Sequence, residues 1–368
     1  AKAVSTDKPQ GHTDEYFMSK ALQLAARGLY STMPNPRVGC VIVKNERIVG
    51  EGWHLKAGDA HAEVTAIQNA GSQTAGATLF VSLEPCSHIG QTPPCVEGII
   101  EAGISRVVFG SKDPNPLVDG KGAARLKSAG IAVIGGVLDE EAKELNLGFF
   151  KRMQTGRPWV RVKIASGLDG KTALENGKSQ WITSTAARED AHKWRAQSCA
   201  ILTGVGTVVE DDPRLTVRHV DTDRQPTIVV VDSQLRSPLS AKLFKSSNVT
   251  IATAVSDKTR LLPFVEIGAN VLVLPDSEGK VDLLSLLDEL GATQINEVLV
   301  EAGINLHSAL LRRSLIDEMI IYYAPKFLGS HGRGMLFFDE LESMDEVAER
   351  DIVGIERFGK DFRVTVRF

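Results

Sequence analysis

Short apolar runs alternate with helix-patterned segments along most of the chain, and that alternation leaves few architectures open. Strands separated by helices pack as a sheet with helices on its faces, so the expected class is α/β. An amphipathic pattern from Asp14 to about Gly28 predicts a helix, and Pro34-Asn35-Pro36 forces an irregular loop after it. Val38–Val43 and Arg47–Gly52 read as a hairpin, followed by a helix from Asp59, as its N-cap, to about Asn69. Ala77–Leu83, Ser105–Gly110 and Ile131–Ile134 read as strands, with helices over Pro94–Ala102, Gly120–Ala129 and Asp139–Phe150.

The polar stretch Lys151–Pro158 interrupts this pattern, which restarts with a strand at Trp159–Ala165. A chain of 368 residues is longer than one core usually organises. Two domains are therefore expected, 12–152 and 157–368. In the second, Ala200–Thr203, Thr227–Val231, Val249–Ala252, Val271–Leu274 and Glu297–Glu301 read as strands. Helices are expected over Ser184–Ala196, Leu283–Leu290 and Leu306–Arg313, and Met319–Tyr323 and Phe362–Phe368 as closing strands.

Charge and hydropathy narrow the partners. The net charge is −4, with no basic excess of the kind nucleic-acid binding requires, which favours a small substrate. No apolar run is long enough for a membrane span. Ala1–Gly11 is polar and lacks the apolar core of a signal peptide, so a cytoplasmic location is expected. Of the four cysteines, Cys40 and Cys199 sit in apolar runs and are expected to be buried.

The other two carry chemistry. His61-Ala62-Glu63, Pro85-Cys86 and Cys95 supply one imidazole and two thiolates, a soft donor set suited to zinc. A catalytic zinc takes three protein ligands and leaves a fourth position open. A closed structural clamp would need a fourth ligand, and His88, two residues from Cys86, is badly placed to be one. Glu63 is not a ligand. A carboxyl group beside an activated water can carry protons to a ring nitrogen and to a departing amine. This is the signature of the zinc-dependent nucleobase deaminases. Asn35, His54 and His88 are candidate substrate contacts, and Asn115 follows a strand end where α/β sheets bind ligands.

The stretches Pro34-Asn35-Pro36-Arg37-Val38-Gly39, His61-Ala62-Glu63 and Glu84–Cys95 closely resemble the bifunctional riboflavin-biosynthesis deaminase/reductases. Ser87-His88-Ile89-Gly90-Gln91-Thr92-Pro93-Pro94, between the two cysteines, is far more specific than the zinc signature alone. The resemblance continues through Lys163–Lys171, Ser179-Gln180-Trp181-Ile182-Thr183, Asp211–Arg218 and Val300-Glu301-Ala302-Gly303. It implies a cytidine-deaminase-like three-layer α/β/α domain followed by a dihydrofolate-reductase-like α/β domain. It also implies zinc-dependent deamination of 2,5-diamino-6-(5-phosphoribosylamino)pyrimidin-4(3H)-one. NADPH-dependent reduction of the ribosyl group then gives 5-amino-6-(5-phosphoribitylamino)uracil. A homodimer or homotetramer is implied as well.

The second half contains the turns that such a reductase needs. Thr203-Gly204-Val205-Gly206-Thr207 and Glu301-Ala302-Gly303-Ile304-Asn305-Leu306 each follow a strand, where backbone N–H groups can hold phosphate. Ser233 and Arg236, past another strand, suit a ribose 2′-phosphate and hence NADPH. Arg195, Arg214 and Arg218 are candidate ligands of the substrate phosphate, with Ser179 and Arg188 assisting. The resemblance places Lys163, Asp211 and Glu301 about the reacting ribose. It adds Leu215 to the substrate contacts, and Ala165, Trp181, Thr207, Asp211, Ser233, Gly303, Ile304, Asn305 and Leu306 to the cofactor contacts. This chain departs from its family at Gln91, where Lys or Arg is usual, and at Gly167, where Ser is usual.

Overall fold

The computed structural model describes residues 13–87, 93–116, 118–245, 248–338 and 340–368. It divides into two compact units between Thr155 and Gly156.

The first unit runs α1 (Asp14–Ala25), β1 (Gly39–Lys44), β2 (Arg47–Trp53), α2 (Ala62–Ala70), β3 (Thr78–Leu83), α3 (Cys95–Glu101), β4 (Arg106–Ser111), α4 (Lys121–Ser128), β5 (Ala132–Gly135), α5 (Asp139–Glu144) and α6 (Leu147–Thr155). Its sheet has the order β2-β1-β3-β4-β5. β1 is antiparallel to both neighbours, and β3, β4 and β5 are parallel. Alternation along β1 explains the layers. Cys40 and Ile42 pack with Ala62 and Ala66 of α2 on one face, while Val41 and Val43 meet Phe17, Met18 and Ala21 of α1 on the other.

The second unit runs β6 (Trp159–Gly167), β7 (Lys171–Ala173), α7 (Thr185–Gln197), β8 (Ala200–Gly204), α8 (Val205–Asp211), β9 (Thr227–Val231), β10 (Val249–Thr253), α9 (Lys258–Glu266), β11 (Asn270–Val273), α10 (Leu283–Ala292), β12 (Glu297–Val300), α11 (Ile304–Arg312), β13 (Glu318–Ala324), β14 (Arg333–Gly334), β15 (Asp351–Phe358) and β16 (Asp361–Arg367). Nine of its strands form one sheet in the order β11-β10-β9-β8-β12-β6-β13-β16-β15. It is parallel from β11 to β13, with β16 and β15 added antiparallel. The carboxyl ends of β6, β8 and β12 therefore share one edge in the middle of the sheet, the position at which such sheets bind ligands. No helix among the described residues is long and apolar enough to cross a membrane.

Several expectations need correction. α2 starts at Ala62 rather than after Asp59, because His61 is still extended (φ −70°, ψ 160°) and occupies the N-cap position. Asp139–Phe150 is two helices. Asn146, at the break, accepts from Arg37 N at 2.8 Å and donates to Arg37 O at 2.9 Å, so its side chain serves as a strand-like partner for Arg37. α6 then runs on to Thr155, through much of the stretch read as a linker, because Phe149, Phe150 and Met153 pack with Leu83. β7, α8, α9, β14 and β15 were not expected. Cys40 and Cys199 are buried, as expected.

Candidate active sites

In the first unit the three soft donors converge. His61 caps α2, Cys86 follows β3, and Cys95 is the first residue of α3. His61 Nδ1 lies 3.0 Å from Cys95 Sγ and 3.6 Å from Cys86 Sγ. All three donor atoms fall within 4.8 Å of one another, and the cluster contains no fourth ligand among the described residues. The Cys95 amide, at the start of α3, donates to Cys86 Sγ at 3.4 Å. Hydrogen bonds from Cys95 and His61 outweigh burial and hold Cys86 well below the usual thiol range, at about 4. The bond to Cys86, together with burial, pushes Cys95 up. A cation at this point would relieve the competition of two sulfurs for one proton, so the donor set fits a metal held by three protein ligands with a fourth position open.

Glu63 follows in the first turn of α2 and is 4% exposed. Burial, and then the charge on Cys86, raise its carboxyl above the ordinary range. His54 is also buried, and desolvation lowers its pKa, so its ring is neutral. His54 Nδ1 faces the Ala60 carbonyl at 3.2 Å and must carry the hydrogen. Nε2 is then the acceptor, and Asn35 Nδ2 donates to it at 3.1 Å. That bond fixes the Asn35 amide with its oxygen left as an acceptor. The His54 and His61 rings meet edge to face with centroids 5.5 Å apart, so the pair borders the donor cluster. His88 and Gln91 lie outside the described residues.

The loop after β4 holds Asn115, a candidate from the sequence, and adds Asp113 and its contact Glu84, which sequence reasoning missed. Asn115 donates its backbone N–H to Asp113 Oδ1 at 2.8 Å. Burial, and then the charges of Glu84 and Cys86, push Asp113 up to about 7. Glu84 accepts from the backbone N–H groups of Asp113, Gly120 and Ala123, at 3.4, 3.0 and 3.0 Å. It thereby ties this loop to the strand end that leads into Cys86. The one signal in the sequence was an acidic residue closing an apolar strand.

The donor cluster also depends on how α2 is seated. A Cβ at Gly50 or Gly52 of β2 would run into the carbonyl oxygens of Ala66 or Ala62. Gly52→Ala is therefore expected to displace α2, cost about 1–3 kcal/mol of stability, and release metal while removing no donor. Metal content and thermal unfolding of the variant check this.

In the second unit a cavity of about 720 Å³ opens at the carboxyl edge of the sheet. Every second-half residue expected at a site lines it: Lys163 and Ala165 from β6, Ser179 and Trp181 before α7, Arg195 from α7, Thr207 and Asp211 from α8, Leu215 and Arg218 beyond α8, Ser233 beyond β9, and Glu301 with residues 303–306 at the start of α11. Arg188, Arg214 and Arg236 line it as well. The Gly-rich segment after β8 is not a free turn, since α8 begins at Val205.

An ion cluster forms the floor. Glu301 accepts from Arg195 Nε at 2.5 Å and Nη2 at 3.0 Å, and Lys163 Nζ stands 3.7 Å away. Burial alone would raise Glu301, but Arg195 and Lys163 outweigh it and hold the carboxyl at about 2. Burial lowers Lys163 below an ordinary lysine, against the pull of Glu301. Arg195 also donates to Thr216 O at 3.1 Å, so it is committed within the protein rather than left for a phosphate. His192, absent from the expected set, accepts from Arg218 N at 3.0 Å through Nδ1. Burial and then Arg195 lower its pKa to about 4.

At the rim, the Trp181 indole is 65% exposed, with the Arg188 guanidinium 4.6 Å above its ring. Ser233 Oγ accepts from Val281 N at 3.0 Å and retains its own hydrogen to donate. A Cβ at Gly167, the last residue of β6, would lie 2.7 Å from the Lys326 carbonyl oxygen and 2.6 Å from Leu328 Cδ1, so the serine usual in the family requires the Lys326–Leu328 segment to shift.

Comparison with known proteins agrees with both halves. The cytidine and deoxycytidylate deaminase zinc-binding region matches residues 12–111, and the RibD C-terminal domain matches residues 158–364. Riboflavin biosynthesis protein RibD of Escherichia coli (strain K12) is 46% identical over 360 residues, which cover 95% of this chain and 97% of that protein. The solved structure of Acinetobacter baumannii RibD, form 1, superimposes with a TM-score of 0.89 at 44% identity, covering 96% of this chain and 98% of that one. A Thermotoga maritima diaminohydroxyphosphoribosylaminopyrimidine deaminase/5-amino-6-(5-phosphoribosylamino)uracil reductase does so with a TM-score of 0.86 at 36% identity, covering 98% and 99%. With relatives this similar over both units, the chain belongs to the RibD family of riboflavin-biosynthesis proteins.

Proposed function

We propose that this chain catalyses two successive steps of riboflavin biosynthesis on one phosphoribosyl-pyrimidine. The first is zinc-dependent hydrolytic deamination of 2,5-diamino-6-(5-phosphoribosylamino)pyrimidin-4(3H)-one. The second is NADPH-dependent reduction of the ribosyl group to give 5-amino-6-(5-phosphoribitylamino)uracil. The observation that carries this reading is the presence of two different chemical clusters on one chain. One is His61, Cys86 and Cys95 with Glu63 beside them. The other is the Lys163–Glu301–Arg195 floor of a cavity large enough for a nucleotide cofactor.

At the first site, His61, Cys86 and Cys95 would hold the zinc, which would supply the Lewis acidity that activates water near neutral pH. Glu63 holds and moves the protons, first to the ring nitrogen and then to the departing amine. Its burial keeps bulk water from competing for that proton. Asn35, oriented by His54, offers a hydrogen-bond acceptor to the base or ribose.

At the second site, NADPH supplies the hydride. The protein supplies orientation and one proton. Glu301 is ionised and therefore accepts hydrogen bonds from the sugar rather than donating a proton. Lys163, an ammonium beside it, is the proton source. Because Arg195 is engaged by Glu301, the substrate phosphate falls to Arg214 and Arg218.

The test is to supply the pyrimidine phosphate with NADPH and to follow both ammonia and nicotinamide absorbance. Both should change, ammonia first. Ammonia release without NADPH oxidation would sink the second half of the reading.

A further inference from the structure

The segment that carries Arg214 and Arg218 belongs to no helix or strand. Residues 212–218 follow α8 as irregular chain, with Leu215 at φ 54°. Leu215 and Val217 are buried, while Arg214 and Arg218 are exposed and line the cavity. Backbone groups without a ladder must find other partners. Here side chains supply them. Arg195 Nη1 donates to Thr216 O at 3.1 Å. Gln225 accepts from Val217 N at 2.7 Å and donates to Val217 O at 3.3 Å. His192 Nδ1 accepts from Arg218 N at 3.0 Å. Three successive residues are thus gripped by three side chains.

Two of the three grips come from one face of α7, where His192 and Arg195 stand three positions apart. The guanidinium that reaches Thr216 is also bidentate on Glu301, so α7 joins the arginine segment to the carboxylate on the cavity floor. His192 is 7% exposed and stands outside the cavity lining. Burial, and then Arg195, keep its ring neutral, which leaves Nδ1 free to accept. The His219 ring meets it edge to face, with centroids 5.1 Å apart. The grip works against a repulsion: besides burial, the charges of Arg195 and Arg214 bear on Arg218 and lower its pKa. Cations held this close would swing apart on a loose backbone, and an anion between them would offset the repulsion.

We propose that His192 and Gln225 are positioning residues for the substrate phosphate: they hold the backbone that aims Arg218 into the cavity, and with Arg195 they set where the phosphate sits relative to the Glu301 carboxylate. This rests on the reading that Arg214 and Arg218 take the phosphate, and it names the residues that make those two cations a site.

The test measures reduction by the full chain of two forms of the deaminated compound, with and without its 5′-phosphate. His192→Leu removes the acceptor for Arg218 N. It is expected to raise the KM of the phosphorylated form about 10-fold, the size of one hydrogen bond. kcat should stay as it is, because a phosphate remote from the reacting carbon is bound equally in the ground and transition states. kcat/KM for the form without phosphate, and the KM of NADPH, should not move, which also reports an intact cavity. His192→Asn can place its side-chain oxygen where Nδ1 stood and should recover most of the loss. Gln225→Met acts from outside α7 and should give the same selective loss, so the proposal stays open to refutation even if His192→Leu does not fold. Equal weakening of both forms, an unchanged KM, or no recovery with His192→Asn would overturn it. Arg218→Leu separates this inference from its foundation. If that variant does not selectively weaken the phosphorylated form, the phosphate reading itself fails. If it does while His192→Leu and Gln225→Met do not, only the positioning role fails.

Discussion

Glu63→Gln is expected to lower the deamination rate by about 10²–10⁴-fold, the range of a positioned acid–base group, with the metal content unchanged. Glutamine fills the same buried space at the start of α2, so α2 and its cap His61 should stay in place. What is lost is a group that takes a proton in one half of the step and returns it in the other. Ammonia release measures the loss, and elemental analysis measures the zinc. NADPH oxidation with the already deaminated compound should proceed at the wild-type rate, because none of the reductase residues is touched. Loss of both activities in a folded variant would contradict two separate sites.

Lys163→Met should produce the mirror image, lowering reduction by about 10²–10⁴-fold and leaving ammonia release alone. Methionine keeps the length and apolar stem of the lysine. Arg195 remains bidentate on Glu301, so the carboxylate keeps a partner. The pH dependence gives an independent check. The proton source must be protonated, so reduction should fall as pH rises through the Lys163 pKa. Burial lowers that pKa, so the fall should come at a lower pH than for an ordinary lysine. In Lys163→Met this alkaline limb should disappear. An unchanged limb, or an unchanged rate, would assign the proton to another group.

The convergence of His61, Cys86 and Cys95 was legible from the chain alone because metal-binding chemistry restricts the residue types so tightly. Few arrangements other than a three-ligand metal explain one histidine and two cysteines set about helix starts and strand ends. That the second-half candidates line one cavity was legible from the sequence, but their pairings were not. Arg195 reads as a phosphate ligand in the sequence, yet its guanidinium is taken by Glu301 across 106 positions. The same distance problem hid the break between α5 and α6, which depends on Asn146 pairing with Arg37 109 positions away. β15 escaped for a different reason: Ile352, Val353 and Ile355 are all exposed, so no face of the strand alternates with another.

The seating of α2 on Gly50 and Gly52 bears on how this chain tolerates change. Neither glycine touches a donor atom, yet each allows the helix backbone to rest directly on β2. In a scan of random variants, the deaminase half should fail at these two silent positions as sharply as at His61. A map of intolerant positions would therefore enclose His61, Cys86 and Cys95 within a wider ring of residues that carry no chemistry, and reading that ring as an active site would overstate its size.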